Sequence, residues 1–155
     1  MSISKKYWLF KSEPNSYSID DFKNDIVTAW EGVRNFQARN FLRDSMNIGD
    51  EVLFYHSNSE PNSIVGLAKV CSNPYPDKSA FDIKDKHYDA KSKIENPTWI
   101  LLDIKFIKKF SNPISLQDLK NKPELDGMVL LQKGSRLSIQ PVSKVHFEFI
   151  KKLSK

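Results

Sequence analysis

Residues 51–71 read EVLFYHSNSEPNSIVGLAKVC. Two apolar runs, EVLFYHS (51–57) and IVGLAKVC (64–71), flank the breaker-rich loop NSEPNS, so the stretch predicts two strands joined without an intervening helix. Upstream, KKYWLFK (5–11) predicts an opening strand that ends at the breaker SEPNS. Ser18 followed by IDDF marks an N-cap with acids in the first turn, hence a short helix to about Lys23. A helix is also expected from Asn35, with Ala38, Phe41, Leu42 and Met46 on a core face and Phe36, Arg39, Asn40 and Arg43 opposite.

Downstream, NPYPDKSAFDIKDKHYDAKSKIENP (73–97) has poor periodicity, and a loop of that length in a compact chain is usually functional or mobile. TWILLDIKFIKKF (98–110) predicts a long strand, Ser115 to about Asn121 a capped helix, VLLQ (129–132) and LSIQPV (137–142) short strands, and SKVHFEFIKKL a closing amphipathic helix. Five or six strands without regular βα alternation point to a single mixed α+β domain spanning residues 1–155, with a curved, partly closed sheet.

Composition narrows the function classes. At 155 residues and 39% hydrophobic, the chain can bury a core without disulfides or metal. Cys71 has no intramolecular partner and reads as a buried structural thiol. His56, His87 and His146 lack zinc-ligand spacing, so no metal and no cofactor are expected. The N-terminal apolar run breaks at Lys11, too short for a membrane span, which predicts a cytoplasmic protein, nuclear if the source is eukaryotic; a monomer is expected. The net charge of +5 allows an anionic partner, although residues 61–155 carry most of the excess as scattered lysine.

Within WEGVRNFQARNFLR (30–43), three of the chain's four arginines stand beside a tryptophan and a helix start. Guanidinium groups suit phosphates and an indole suits a stacked base. Each element also has a plain structural reading: Trp30 as core, Asn35 as a helix cap, Arg39 and Arg43 as partners of acids. GxSxG, Walker, HExxH and GxGxxG patterns are absent, which removes specific support for the common hydrolase and nucleotide-binding classes.

The blocks YWLFKSEP (7–14), WEGVRNFQARNFLR (30–43), GDEVLFYHSN (49–58), YPD (75–77), YDAKSK (88–93), PTW (97–99) and SRLSIQPV (135–142) resemble, in order and spacing, the EVE domain family. The resemblance implies a PUA-like fold, a small bent β-barrel flanked by short helices, with a pocket for a modified base. By analogy with YTH domains of the same superfamily, Lys11 and Ser12 lie at the pocket rim and Trp30 forms one wall. The implied base-binding set is Lys11, Ser12, Glu13, Trp30, Val33, Asn35, Tyr55, His56, Ser57, Tyr75, Pro76 and Asp77. Arg34, Arg39, Arg43 and Arg136 are the implied contacts to the nucleic-acid backbone, and Tyr75 and Tyr88 the candidates for a second aromatic wall.

The function expected is a non-catalytic reader of a modified nucleobase, in DNA or RNA. Two rivals accompany it. An ASCH-like enzyme would use Lys11 and Glu13 as acid or base, and a protein-interaction module would use Phe36 and the arginine face.

Overall fold

The computed structural model describes residues 4–155. A six-stranded sheet is built from β1 (Tyr7–Ser12), β2 (Val27–Ala29), β3 (Glu51–His56), β4 (Ser63–Val70), β7 (Asp103–Ser115) and β8 (Ile139–Val142), in the order β2-β7-β4-β3-β1-β8. Between β4 and β7 lie β5 (Tyr75–Pro76) and β6 (Ile100–Leu101), which pair with each other as a separate two-stranded piece. β1 and β3 run parallel, and every other pairing is antiparallel. Register shifts between Phe54 and Tyr55 and along β4 and β7 bend the ladder. The sheet curls into the half-barrel that the strand pattern predicts.

Both faces of the sheet are buried at its central strands, which explains the unbroken apolar runs in β1 and β3. Successive side chains alternate between faces. Trp8 and Phe10 join Val52 and Phe54 in one core, while Tyr7 and Leu9 join Leu53 and Tyr55 in the other. The first core is closed by α1 (Ile19–Asp25) and α2 (Phe36–Asn40), and the second by α3 (Leu116–Lys120) and α4 (Lys144–Leu153). Serine or asparagine caps each helix: Ser18 accepts from the Asp21 amide, Asn35 from Ala38, Ser115 from Asp118 and Ser143 from His146.

The structure departs from the sequence reading at three places. VLLQ is not a strand, because Val129–Leu131 form a 3-10 turn. The turn buries Leu130 in the second core beside Met128, which caps it. The predicted 98–110 strand breaks at Leu102, so β6 leaves to pair with β5 while β7 runs on to Ser115. Cys71 is half-buried rather than fully buried, just past the end of β4.

No helix of the described residues is long and apolar enough to cross a membrane.

Candidate nucleic-acid interface

Trp30 follows β2 directly, and its amide donates to Leu102 O at 2.9 Å, fixing the chain where the loop 31–35 begins. Its indole packs at one end of the first core, 5.3 Å from the Phe10 ring and edge-on to Phe54 (5.7 Å, 85°) and Tyr17 (6.3 Å, 78°). The ring is only partly buried. It borders a cavity of about 570 Å³, whose rim comes from the end of β1 and the turn after it, from residues 28–34, and from Lys86, His87 and Ser138. That volume falls within the range of small-molecule sites.

Of the sequence-predicted set, Lys11, Ser12, Glu13, Trp30 and Val33 line this cavity, and so does Arg34. The Ser12 hydroxyl donates to Tyr17 O, which ties together the two ends of the 12–17 turn on the cavity wall. Glu13 accepts from Asn58 Nδ2 at 2.7 Å. Lys11 lines the wall, yet its ammonium lies 6.0 Å from the centre of the Tyr55 ring. Burial lowers its pKa from the ordinary value. Lys11 and Glu13 form no ion pair among the described residues.

The other predicted positions stand elsewhere. Tyr55 is buried in the second core, because strand parity sends it to the face opposite Phe54. His56 accepts the Ile19 amide on Nε2 at 3.1 Å and so holds the first turn of α1. Ser57 joins its backbone amide to Ser12 O at 3.0 Å. Tyr75 and Pro76 form the exposed strand β5, where the Tyr75 hydroxyl donates to Asp103. Burial, and then that carboxylate, push the Tyr75 hydroxyl up to about 12. Tyr88 borders a different, shallow depression.

Asp77 is the clearest correction. It is 0% exposed and is not among the residues that line the Trp30 cavity. Its carboxylate accepts from Gly32 N (2.8 Å), Arg34 Nη1 (3.1 Å), Ser79 N (2.9 Å) and Ser79 Oγ (2.6 Å). Burial pushes this carboxyl up, but the bonds from Ser79, Gly32 and Arg34 outweigh it and hold the group below its ordinary value.

Arg34 is likewise directed at protein: besides Asp77 it donates to His87 O (2.9 and 2.6 Å), Val33 O and Ser79 Oγ, and it lies 5.3 Å from the Trp99 ring centre. Together these bonds fasten the 73–97 segment to the Trp30 loop and bring His87 over Gly32. A Cβ built on Gly32 would lie 2.5 Å from the imidazole, and φ there is +84°. Only glycine suits that position.

The remaining arginines divide. Arg39 donates to Thr98 O (2.8 Å) and lies 5.0 Å from the Phe36 ring centre, while Phe36 stacks on Trp99 (4.9 Å, 30°) and stays 59% exposed. Arg43 pairs with Asp44 at 2.8 Å on the surface. Asn35 caps α2 and Arg136 is exposed; both border a second, open groove rather than the Trp30 cavity.

The cavity-wall residues that the sequence reading does not name for the site are Ser16, Tyr17, Thr28, Ala29, Glu31, Gly32, Lys86, His87 and Ser138. Burial and then the nearby Asp25 carboxylate raise the Tyr17 hydroxyl to about 12, so it remains a phenol donating to Asp25 at neutral pH. His87 was legible only through Gly32, since a left-handed glycine two residues after the tryptophan signals close approach by another group.

His56 gives a pH prediction. Burial lowers its pKa from 6.5, Asp20 opposes and Lys109 assists. The unfolded chain therefore binds the proton more readily, and stability rises with pH across this range. The contribution is complete above 6.5 and is lost as pH falls through the lowered folded value, when protonation removes the acceptor for Ile19 N–H. Urea unfolding should show a loss from pH 7.5 to pH 5 that His56→Gln flattens. An unchanged pH slope in that variant would assign the loss to other groups.

Comparison with known proteins agrees with this architecture. Residues 6–153 match the EVE domain family. Human thymocyte nuclear protein 1 is 40% identical over 163 residues, covering 93% of this chain and 72% of that protein. A crystal structure of a Pseudomonas syringae protein superposes with a TM-score of 0.92 at 44% identity, covering 96% of this chain and 99% of that one. The human thymocyte nuclear protein 1 in complex with DNA containing 5-methylcytosine superposes with a TM-score of 0.90 at 39% identity, covering 97% and 98%. A single bent sheet with both faces covered, carried by a sequence this similar, leaves one assignment: the chain belongs to the EVE domain family.

Proposed function

We propose that the chain is a non-catalytic reader that admits a modified base, 5-methylcytosine in DNA foremost, into the Trp30 cavity. The observation that carries this reading is the partly exposed indole on the wall of a 570 Å³ cavity whose other residues are mostly polar. The similarity to a human protein whose structure holds 5-methylcytosine DNA supports the choice of base.

A base extruded from the strand stacks on Trp30, a contact worth about 1–3 kcal/mol. Its polar edge then meets the hydroxyls and carboxylates of the rim. Cytosine presents an exocyclic amine, a donor, and Glu13 and Glu31 are acceptors on the wall. Val33 and Ala29 offer apolar surface for a methyl group. One buried methyl contributes about 0.8 kcal/mol, about fourfold in affinity. The rival pairing of Lys11 with Glu13 as acid and base gains nothing from the geometry, because one is drawn to Tyr55 and the other to Asn58.

The test is a binding panel of matched oligonucleotides, methylated and unmethylated, single- and double-stranded, DNA and RNA, read by fluorescence anisotropy with product analysis by mass spectrometry. We expect a severalfold preference for the methylated cytosine and intact oligonucleotide afterwards. Equal affinity across the panel would remove the reader function, and released nucleoside or cleaved strand would replace it with catalysis.

A further inference from the structure

We infer that His87 reads the base: its Nε2 accepts a hydrogen from the exocyclic amine of the cytosine ring, and so separates 5-methylcytosine from thymine, which carries the same methyl group. The inference rests on the base-reading proposal and deepens it.

His87 lines the Trp30 cavity, and its backbone is fixed on both sides. The amide donates to Asp85 Oδ1 at 2.8 Å, and the carbonyl accepts from Nε and Nη2 of Arg34. The imidazole lies flat on Gly32. A Cβ built on that glycine would stand 2.5 Å from Cε1, 2.6 Å from Nε2 and 2.8 Å from Nδ1. A ring meeting Gly32 edge-on would set both nitrogens well behind Cε1, so distances this even mean a face-on ring. With its face on backbone, the ring turns its nitrogens sideways to other partners. A group held this firmly gives up little freedom when a ligand arrives.

The two nitrogens differ. Nδ1 is closed off from solvent, makes no hydrogen bond among the described residues, and stands 3.3 Å from Asp85 Oδ1. A lone pair at Nδ1 would face a carboxylate, so the neutral ring keeps its proton there. Nε2 is therefore an acceptor. It has no partner among the described residues and, unlike Nδ1, is not closed off.

An acceptor on the wall makes a choice that the apolar surface cannot. Val33 and Ala29 would meet the same methyl group on either base. Cytosine and thymine differ where one carries an amine and the other a carbonyl oxygen. The amine gives one hydrogen to Nε2 and has a second for Glu31, the neighbour of Gly32 on the same wall. Thymine would bring its oxygen against the Nε2 lone pair, two acceptors with no hydrogen between them. A polar group left unmatched in a shielded site discriminates more strongly than a methyl group does.

The experiment measures wild type, His87→Phe and His87→Gln by fluorescence anisotropy, with a thermal melt to confirm folding. Probes are short single strands that differ at one position, bearing 5-methylcytosine, cytosine or thymine, in mildly alkaline buffer that keeps an imidazole neutral. Phenylalanine keeps a flat ring over Gly32 without a nitrogen, and glutamine offers a donor beside its acceptor. Wild type should hold 5-methylcytosine more than tenfold tighter than thymine. Each variant should cut that ratio about tenfold and keep the smaller preference for 5-methylcytosine over cytosine. Should His87→Phe fail to fold, His87→Gln decides alone.

A 5-methylcytosine to thymine ratio unchanged in the folded variants, with all three strands weakened by one factor, would make His87 a packing residue and overturn the inference. A wild type that holds 5-methylcytosine and thymine equally, and cytosine less well, would overturn it too while the methyl reading stands. Equal affinity of wild type for all three strands would remove the base reading with it.

Discussion

Trp30→Ala should weaken binding of a 5-methylcytosine strand by about 5- to 150-fold, the equivalent of about 1–3 kcal/mol for one lost stack. The same substitution removes packing against Phe10, Tyr17 and Phe54, so it will also lower stability. Truncating a fully buried tryptophan costs about 3–5 kcal/mol. The indole is partly exposed, which places the expected loss at or below the lower end. Trp30→Phe separates the two effects, because it keeps an aromatic in the cluster with less stacking area. It should retain most of the stability and an intermediate affinity. Affinity equal to wild type in a folded Trp30→Ala protein would confine Trp30 to the core.

The second large effect is expected at Asp77, whose role is structural and whose consequence is functional. Asp77→Ala leaves the Gly32 amide without its acceptor and Arg34 without its counter-ion. Breaking a buried ion pair from one side costs about 3–5 kcal/mol. Arg34 keeps His87 O and Ser79 as acceptors and some solvent, so about 3 kcal/mol is the expected loss. For a chain of this size that lowers Tm by about 6–12 °C.

The 73–97 segment would then lose its main tie to the Trp30 loop, and His87 would no longer be held over Gly32, so binding should weaken without loss of a residue that touches the base. The Asp77 carboxyl is held below 3.8 in the folded chain, so its contribution is present above that value and fades as pH falls through the lowered one. The difference between wild type and variant should therefore narrow in strong acid. A Tm within 2 °C of wild type would mean that the 73–97 segment is held by other contacts.

These two residues show what was legible. Strands β1, β3 and β4 and the caps Ser18, Asn35 and Ser115 stand out in the sequence because local chemistry fixes them: apolar runs, and a side-chain oxygen three residues before an orphan amide. Trp30 stands out for a related reason, as an indole beside a glycine and a helix start.

Tyr55 was misplaced because a strand buried on both faces has no polar alternation, so nothing local tells which face a given residue takes. Asp77 and Arg34 were assigned to ligand because their partners lie 43 residues apart in sequence, and such a pair leaves no periodic mark. His87, 53 residues from Arg34, leaves only the indirect mark of Gly32. Arg43 and Asn35, by contrast, took the plain local roles of ion pair and cap.

The central claim is that the modified base occupies the space beside Trp30. A crystal structure of the protein with a short strand bearing one 5-methylcytosine tests it most directly. The account predicts the methylated ring lying against the indole, with its exocyclic amine toward the Glu13 and Glu31 side of the cavity. A methylated base that stays in its own strand, or that rests on Phe36 with the Trp30 cavity unfilled, would contradict it.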